Sequence, residues 1–462
     1  MPKWFSLQQS ERIADEAEII RAQELSKDPT EFFKQVVGFE PTAYQKEFIK
    51  IFLENQFLAA RWARQSGKSW IVAALLLWYA VTHPDIHIGV VGPSWRQAKL
   101  VIKRIAFFTR NLPFGMYFKP LKTVIRFTNG SVIEAFPNSP DTIRGPSLAL
   151  VYMDEGNFIP HDEEMYDAIL FTLGTTNGKF VCTSTPWNTD SLFYKFFHHR
   201  DYEDFAKHHV TWQQALEPNG PLKTSILEKI RKQFAEDPWR WKREMEAEWA
   251  EDETTWLPQS LITKCIDGNL ELWSFDSYQQ GKFFAGLDLG KHQDHSVLII
   301  VEETDGKSLL RHWKIFPLGT KYATVIGYVK TLMDRWKHIE QIRVDITGVG
   351  EYVVEDMQNA GIENVEGVTF AATRKQELAS LLRQRMLDGA YHFPFTELRL
   401  SPTVLLSYVA ELNVERFELR KDGSIAFSHP QGQKDDTFWA TALAIACTVR
   451  LVPEPYLAMV PR

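Results

Sequence analysis

Apolar and polar positions along this chain fall into two series of blocks. In the first, Phe57 to Ala60 is an apolar run of strand length, and Trp70 to Ala80 is a longer one that suits a buried helix. Ile86 to Val91 repeats the strand signal and is stopped by Gly92-Pro93. Val124 to Phe136 divides into two alternating runs around Asn129-Gly130, which predicts a β-hairpin. Leu148 to Met153 and Lys179 to Thr183 are further strand runs. Four buried strands with helices between them predict an α/β doubly wound sheet. From Phe193 to Glu253 the chain turns polar, aromatic and helical. Leu227 to Phe234 and Trp239 to Ala250 predict amphipathic helices of a small lid, with Arg240, Lys242 and Arg243 either touching a phosphate or, as favoured, on a solvated face. Asp252 to Tyr278 reads as a linker.

The second series begins near Lys282. Phe283 to Gly290, Ser296 to Glu302 and Ser308 to Phe316 predict a β-meander. A helix (Ala323 to Trp336), a strand ending at Asp345, a basic amphipathic helix from Lys375 to Leu387 and a hairpin from Val414 to Phe427, turning at Asp422-Gly423, follow. A helix opening with Asp435-Asp436 closes the series. Met1 to Lys27 reads as a polar helix. The expected division is 1–200, 201–280 and 281–462.

Composition changes this picture little. The 462 residues are 44% hydrophobic and 24% charged, ordinary for a globular chain with sizeable cores. No apolar stretch reaches membrane-spanning length, so no membrane partner is expected. Met1 to Ser10 has no basic start before an apolar core, so no secretory leader is expected. The three cysteines, Cys182, Cys265 and Cys447, have no metal-ligand spacing, and a reducing cytoplasm fits. A net charge of −7 argues against wholesale coating of nucleic acid but allows a local basic groove.

Candidate chemistry gathers at the strand ends. Between the first strand and helix lies Arg64-Gln65-Ser66-Gly67-Lys68-Ser69, which reads as a phosphate-binding loop. Gly67 lets the backbone close on phosphate oxygens, Lys68 supplies charge, and Ser69 offers a hydroxyl to Mg²⁺. The first glycine of the usual motif is Trp62 here. Upstream, Tyr44-Gln45 is placed to hold adenine, by ring stacking and through the two-way amide of Gln45. Ser94, Arg96 and Gln97 follow a strand at the carboxyl edge, where ligands bind. Asp154-Glu155 ends a buried strand downstream of the loop, an order that suits a metal-holding aspartate and an acid that polarises the attacking water. Thr183, Ser184 and Thr185 end the next strand and can sense the γ-phosphate. In the second series Asp288, Asp345 and the Asp435-Asp436 pair stand at strand, strand and helix start. Carboxylates in that order suit two divalent ions, roughly 4 Å apart, that activate water for phosphodiester cleavage. This predicts an RNase H-like nuclease. Asp294 is either a further ligand or a loop residue, and Lys375 either a phosphate contact or part of a basic helix face.

Taken in order, these motifs resemble those of viral terminase large subunits, from about Pro41 to Val449. The variant phosphate loop, Ile143-Arg144-Gly145 before the acid pair, Thr183-Ser184-Thr185-Pro186 and the downstream acids carry the likeness. The resemblance implies an N-terminal P-loop ATPase of the ASCE/RecA-like kind with a small lid, and a C-terminal RNase H-like endonuclease. It implies ATP and Mg²⁺ on Arg64, Gln65, Ser66, Gly67, Lys68, Ser69 and Asp154, with Glu155 as base. Mn²⁺ is a further candidate at the nuclease. Arg64, in cis, or Arg144, in trans, is the implied arginine finger, with Arg144 favoured. Asp436 is favoured over Asp435 as metal ligand, with Asp435 capping the helix. Implied partners are double-stranded DNA, a portal protein and a small terminase subunit. A pentameric ring on the procapsid is implied, alongside a monomer in solution. Such a protein would work in the host cytoplasm and at the portal, outside the mature virion. The competing readings are a helicase-nuclease or restriction-type translocase, and a capsid or DNA-binding component with decayed sites. The first needs a second motor lobe, which the sequence between Thr185 and Lys282 does not provide. The intact acids argue against the second.

Overall fold

Parallel strands buried on both faces organise the first half. The computed structural model describes residues 28–112, 115–235, 237–290, 294–348, 350–400, 405–420, 425–430 and 433–449. The expected helix before Lys27 and the Asp422-Gly423 turn lie outside them. Strands β1 (Phe57–Trp62), β2 (His87–Val91), β3 (Val124–Arg126), β4 (Val132–Ala135), β5 (Leu150–Asp154), β6 (Lys179–Ser184) and β7 (Ala206–Val210) form one sheet in the order β3-β4-β2-β5-β6-β1-β7. All neighbours run parallel except the β3–β4 hairpin. Helices α1 (Ala43–Glu54), α2 (Lys68–Thr82), α3 (Trp95–Phe108) and α4 (Asp162–Leu173) are the longest of this half. Helix α2 is apolar almost all round, as the sequence predicts for a helix within the core, with Ile71 to Trp78 all buried.

Strand β7 corrects the helical reading after Phe193 and carries the first sheet past residue 200. Its inward positions are His208 and Val210. A histidine there hides the strand's alternation. It is accommodated because Trp62 Nε1 donates to His208 Nδ1 at 2.9 Å. Trp62 is fully buried against Tyr44 and Phe48, which explains a large ring where a glycine is usual.

The connecting region is more ordered than a linker and less helical than a lid. Helix α5 (Thr224–Gln233) forms as expected. Beyond it, Pro238–Trp241 leads into a π-helical turn, Lys242–Glu246, that ends at Ala247 with φ 52°. Helix α6 (Gln259–Lys264) lies within the supposed linker. Trp256, Leu257, Ile262 and Cys265 around it belong to the core of the second half.

The second sheet is mixed. Strands β8 (Gln279–Asp288), β9 (Val297–Thr304) and β10 (Lys307–Ile315) form the antiparallel meander. Then β11 (Trp336–Asp345) runs parallel to β8, with β12 (Val365–Val368) and β13 (Tyr391–His392) at the edges. The order β12-β11-β8-β9-β10-β13 is of the RNase H kind. Two short hairpins follow, β14 (Glu397–Arg399) with β15 (Leu405–Ser407) and β16 (Arg416–Leu419) with β17 (Ile425–Ser428). Helices α7 (Tyr322–Arg335), α8 (Ala372–Leu387) and α9 (Asp436–Thr448) are the longest of this half. Among the described residues no helix is long and apolar enough to cross a membrane.

Helix α9 lies directly on β8. A Cβ at Gly286 would fall 2.0 Å from the Ala440 carbonyl oxygen and 2.4 Å from the Ala444 nitrogen. Gly286→Ala is therefore expected to lower stability by about 1–3 kcal/mol through overpacking. An unchanged urea midpoint and slope would mean that the helix can move off the sheet freely.

Candidate active sites

Parallel strands bring their carboxyl ends to one edge, and β1, β6 and β5 lie side by side there. Asp154 on β5 registers with Thr183, and Arg61 on β1 with Ser184. The loop after β1 closes over this edge. Gly67 has φ +83°, and a Cβ there would meet Gln45 Nε2 at 2.9 Å, so glycine is required. Ser66 is buried, its hydroxyl donating to the Ala63 carbonyl at 2.6 Å, and Tyr44 donates to the Ser66 carbonyl at 2.7 Å. Gln65, at φ 64°, and Ser69 border a cavity of about 580 Å³ together with Lys68, Asp154 and Glu155.

The expected adenine contact of Gln45 needs correction. Its amide oxygen accepts from Thr42 N at 3.0 Å, and the side chain is buried behind Gly67 rather than among the residues bordering the cavity. Tyr44-Gln45 is a buttress for the loop. Ser94 and Arg96 also turn elsewhere, to the second half: Ser94 donates to the Phe395 carbonyl at 3.2 Å and Arg96 to the Thr396 hydroxyl at 3.3 Å. Gln97 borders the cavity.

Glu155 is the hub of this edge. One of its oxygens takes Lys68 Nζ at 2.8 Å; the other accepts from Ser184 Oγ at 3.1 Å and Thr185 N at 3.3 Å. Its backbone sits at φ 50°, a left-handed conformation that costs a non-glycine residue and recurs at functional sites. Asp154 beside it is buried and accepts from the Tyr152 hydroxyl at 2.6 Å. Burial and the Glu155 charge raise its pKa, while Lys68 pulls it back.

Several arginines reach the cavity. Arg64 Nη1 contacts both Glu244 oxygens at 3.2 and 3.0 Å, and Nη2 bonds Glu397. Arg104 and Arg240 also border it. Arg240 and Arg243 are buried rather than on a solvated face; Arg240 lies 4.6 Å over Phe234 and bonds Gln433, and Arg243 lies 5.0 Å over Trp187. Lys242 is exposed as expected. Arg144 is outside the cavity: it is exposed and pairs with Asp141 at 3.0 Å. Within one chain the structure joins Arg64, not Arg144, to the phosphate loop.

The second site stands at the end of β8. Leu287 registers with Val344 on β11, so Asp288 and Asp345 lie alongside. Helix α9 crosses β8 at Gly286, which puts Asp436, one turn before Ala440, at the same end. Asp436 accepts from His295 N at 3.0 Å. Burial first, then Asp436, Asp345 and Asp435, drive the Asp288 carboxyl well above the usual carboxylate range. Burial and the neighbouring Asp435 push Asp436 up to about 7. Asp288 and Asp436 are buried and Asp345 is half-buried, and Asp288 is raised by the charges of the other two; carboxylates grouped this way offer oxygen ligands, so the residues fit the expected metals. The charge of Lys375, whose ammonium lies 4.6 Å over the Trp439 ring, opposes the rise at Asp288 and Asp345. Asp294 pairs with Lys434 at the rim.

Asp435 faces the other way. It occupies the N-cap position but makes no side-chain cap, which corrects its expected capping role. Its carboxylate takes Trp439 Nε1 at 2.8 Å and His429 Nδ1 at 3.2 Å. Burial presses its pKa upward, yet His429, Glu415 and Lys375 outweigh that and hold it below the usual range.

Residues 61–264 match the family described as terminase large subunit, T4likevirus-type, N-terminal. The chain is 22% identical over 417 residues to the terminase large subunit of Thermus phage G20c, covering 79% of this chain and 81% of the relative. The chain is thus similar to terminase large subunits along most of its length. Solved relatives include the HK97 bacteriophage large terminase, at 13% identity and TM-score 0.43, covering 91% of this chain and 99% of that one. The large terminase nuclease of phage G20c with bound magnesium is 21% identical at TM-score 0.35, covering 42% of this chain and 98% of that one.

The structure also holds site residues that motif reading missed. Glu244, Glu397 and Arg104 border the phosphate cavity from three elements remote in sequence. Glu415 and His429 lie against Asp435, with one ligand atom from each of the three within 4.8 Å of the others. None stands in a motif, so spacing carried no signal.

The raised acids set a pH dependence. A carboxyl with a raised folded pKa binds more protons folded than unfolded, so its contribution to stability declines as pH rises. For Asp436 the window runs from about 4, the unfolded value, to about 7. In EDTA, wild-type stability is expected to fall across that window, and Asp436→Asn to flatten the slope. Urea titrations from pH 4 to 8 check this; an identical slope in the variant would contradict the placement.

Proposed function

We propose that this chain is a terminase large subunit that hydrolyses ATP in its first half to drive double-stranded viral DNA through a portal into procapsids, and that its second half cuts concatemeric DNA with two divalent ions. The observation that carries the motor reading is the position of Glu155, strung between the phosphate-loop lysine and the end of β6. Bound Mg²⁺ supplies positive charge at the phosphates, held by Ser69 and Asp154. Lys68 and the loop amides bind the β- and γ-phosphates. With Lys68 drawn to phosphate, Glu155 is freed to accept a proton from the attacking water. Loss of the γ-phosphate returns Lys68 to Glu155 and so reaches Ser184 and Thr185. Arg144, exposed and remote from its own cavity, suits a finger that acts on a neighbouring subunit of a ring.

In the second half, divalent ions supply a water of lowered pKa and stabilise the leaving oxygen. Asp288, Asp345 and Asp436 hold them, with Mg²⁺ or Mn²⁺ admitted by an all-oxygen ligand set. Lys375 is placed to meet a DNA phosphate. The portal protein, the small terminase subunit and a pentameric ring complete the proposed assembly in the host cytoplasm.

Glu155→Ala is expected to slow ATP hydrolysis by about 10²–10⁴-fold, the usual range for loss of a general base, with nucleotide binding retained. Steady-state turnover alongside a fluorescent-nucleotide titration checks this, and normal turnover would overturn the base assignment. Asp288→Ala and Asp345→Ala are each expected to abolish Mn²⁺-dependent cutting of supercoiled DNA while leaving ATP hydrolysis intact. Cutting that survives both changes would place the nuclease elsewhere.

A further inference from the structure

The phosphate cavity is not built by the first half alone. Phe395, Glu397 and Leu406, from the β14–β15 hairpin region of the second half, form part of its wall. Glu397 bonds Arg64 Nη2 across 333 residues of sequence. Both terminal nitrogens of Arg64 are thereby occupied by carboxylates, Nη1 by Glu244 and Nη2 by Glu397. Three contacts hold the guanidinium between these two carboxylates, so swinging it onto a phosphate draws it away from at least one of them.

The two acids are not equally held. Glu244 is fixed by its own backbone, whose carbonyl accepts from Arg64 N at 2.7 Å, and Arg240 and Arg243 add to its stabilisation. Glu397 is drawn by Arg64 but repelled by Glu155, Glu244 and Asp154, and its burial is costly, so its pKa is raised. A polyanion entering beside Lys68 adds to that repulsion and competes for the same guanidinium. Glu397 is the acid that yields.

We infer that Glu397 is a positioning residue of the ATPase site: a displaceable clamp from the nuclease half that holds Arg64 off the phosphates until a nucleoside triphosphate takes its place. This rests on the ATPase reading above. The clamp gives the nuclease half direct access to nucleotide state, because losing Arg64 leaves Glu397 among like charges and loosens the β14–β15 hairpin from the cavity wall.

The test is nucleotide binding by the full chain, with the hydrolysis-resistant ATPγS and with ADP, in wild type, Glu397→Gln, Glu397→Asp and Lys68→Ala. Removing the charge at 397 is expected to tighten ATPγS about 3–10-fold, since the triphosphate no longer competes for Arg64 (about 0.7–1.4 kcal/mol at 1.4 kcal/mol per decade). ADP, without a γ-phosphate, is expected to change less than half as much on the logarithmic scale. Glu397→Asp, which keeps the charge, is expected to stay closer to wild type than Glu397→Gln does. A variant that merely loosened the fold would weaken both nucleotides and lower the thermal midpoint. Equal or weaker ATPγS binding by Glu397→Gln, with wild type binding well and Lys68→Ala not, would overturn the clamp and leave the ATPase reading standing. No nucleotide binding by wild type would overturn the ATPase reading itself.

Discussion

A carboxylate taken out of water must meet a cation, a proton or a set of donors, and both halves of this chain are arranged around that demand. At the edge of the first sheet, Asp154, Glu155, Glu244 and Glu397 surround Lys68 and Arg64. At the end of β8, Asp288 feels the charges of Asp436 and Asp345, and Lys375 opposes the rise at Asp288 and Asp345. Acids placed this way are costly to the fold and useful to chemistry. They create sites where a divalent cation or a phosphate changes the local balance, and that is the lever a nucleotide or a metal works on.

The rigid part of each half is what sustains this cost. In the first, a sheet buried on both faces puts three strand ends in register, and fully buried Trp62 ties β1 to α1 and β7. In the second, α9 sits on β8 at Gly286 without room for a methyl group, which fixes Asp436 relative to Asp288. Between the halves the contacts are of another kind. Trp95 N donates to the Gly268 carbonyl at 3.0 Å, and Lys99 pairs with Glu271 at 2.9 Å. With the Ser94 and Arg96 bonds to Phe395 and Thr396, these polar links stand beside an apolar contact in which buried Phe158 and Trp187 of the first half join the core of the second.

The lid joins the two chemistries. Arg240 borders the phosphate cavity and bonds Gln433, two residues before Asp435. Gln433 in turn donates to the Gln233 carbonyl at the end of α5 at 3.3 Å. A shift of the lid is therefore felt at the start of the helix that carries Asp436. Lid and clamp approach the same cavity from opposite sides of the sequence.

Much of this was legible in the chain itself. Apolar runs of strand and helix length identified the parallel sheet and the meander, because strands buried on both faces leave an uninterrupted signal. Gly67-Lys68-Ser69, Asp154-Glu155 and the acids at 288, 345 and 436 were visible because backbone geometry ties each to a strand end or helix start. What the sequence could not show was β7, whose inward His208 breaks the alternation, or the burial of Arg240 and Arg243, whose charges read as solvent-facing until partners are known. Nor could it show that Gln45 serves the loop, that Asp435 turns to Glu415 and His429, or that Glu397 meets Arg64. The chain alone determined which elements form and which of their ends carry chemistry, since those depend on local periodicity and backbone conformation. Only the tertiary structure decided which charges face one another, since a charge's partner comes from packing between segments hundreds of residues apart.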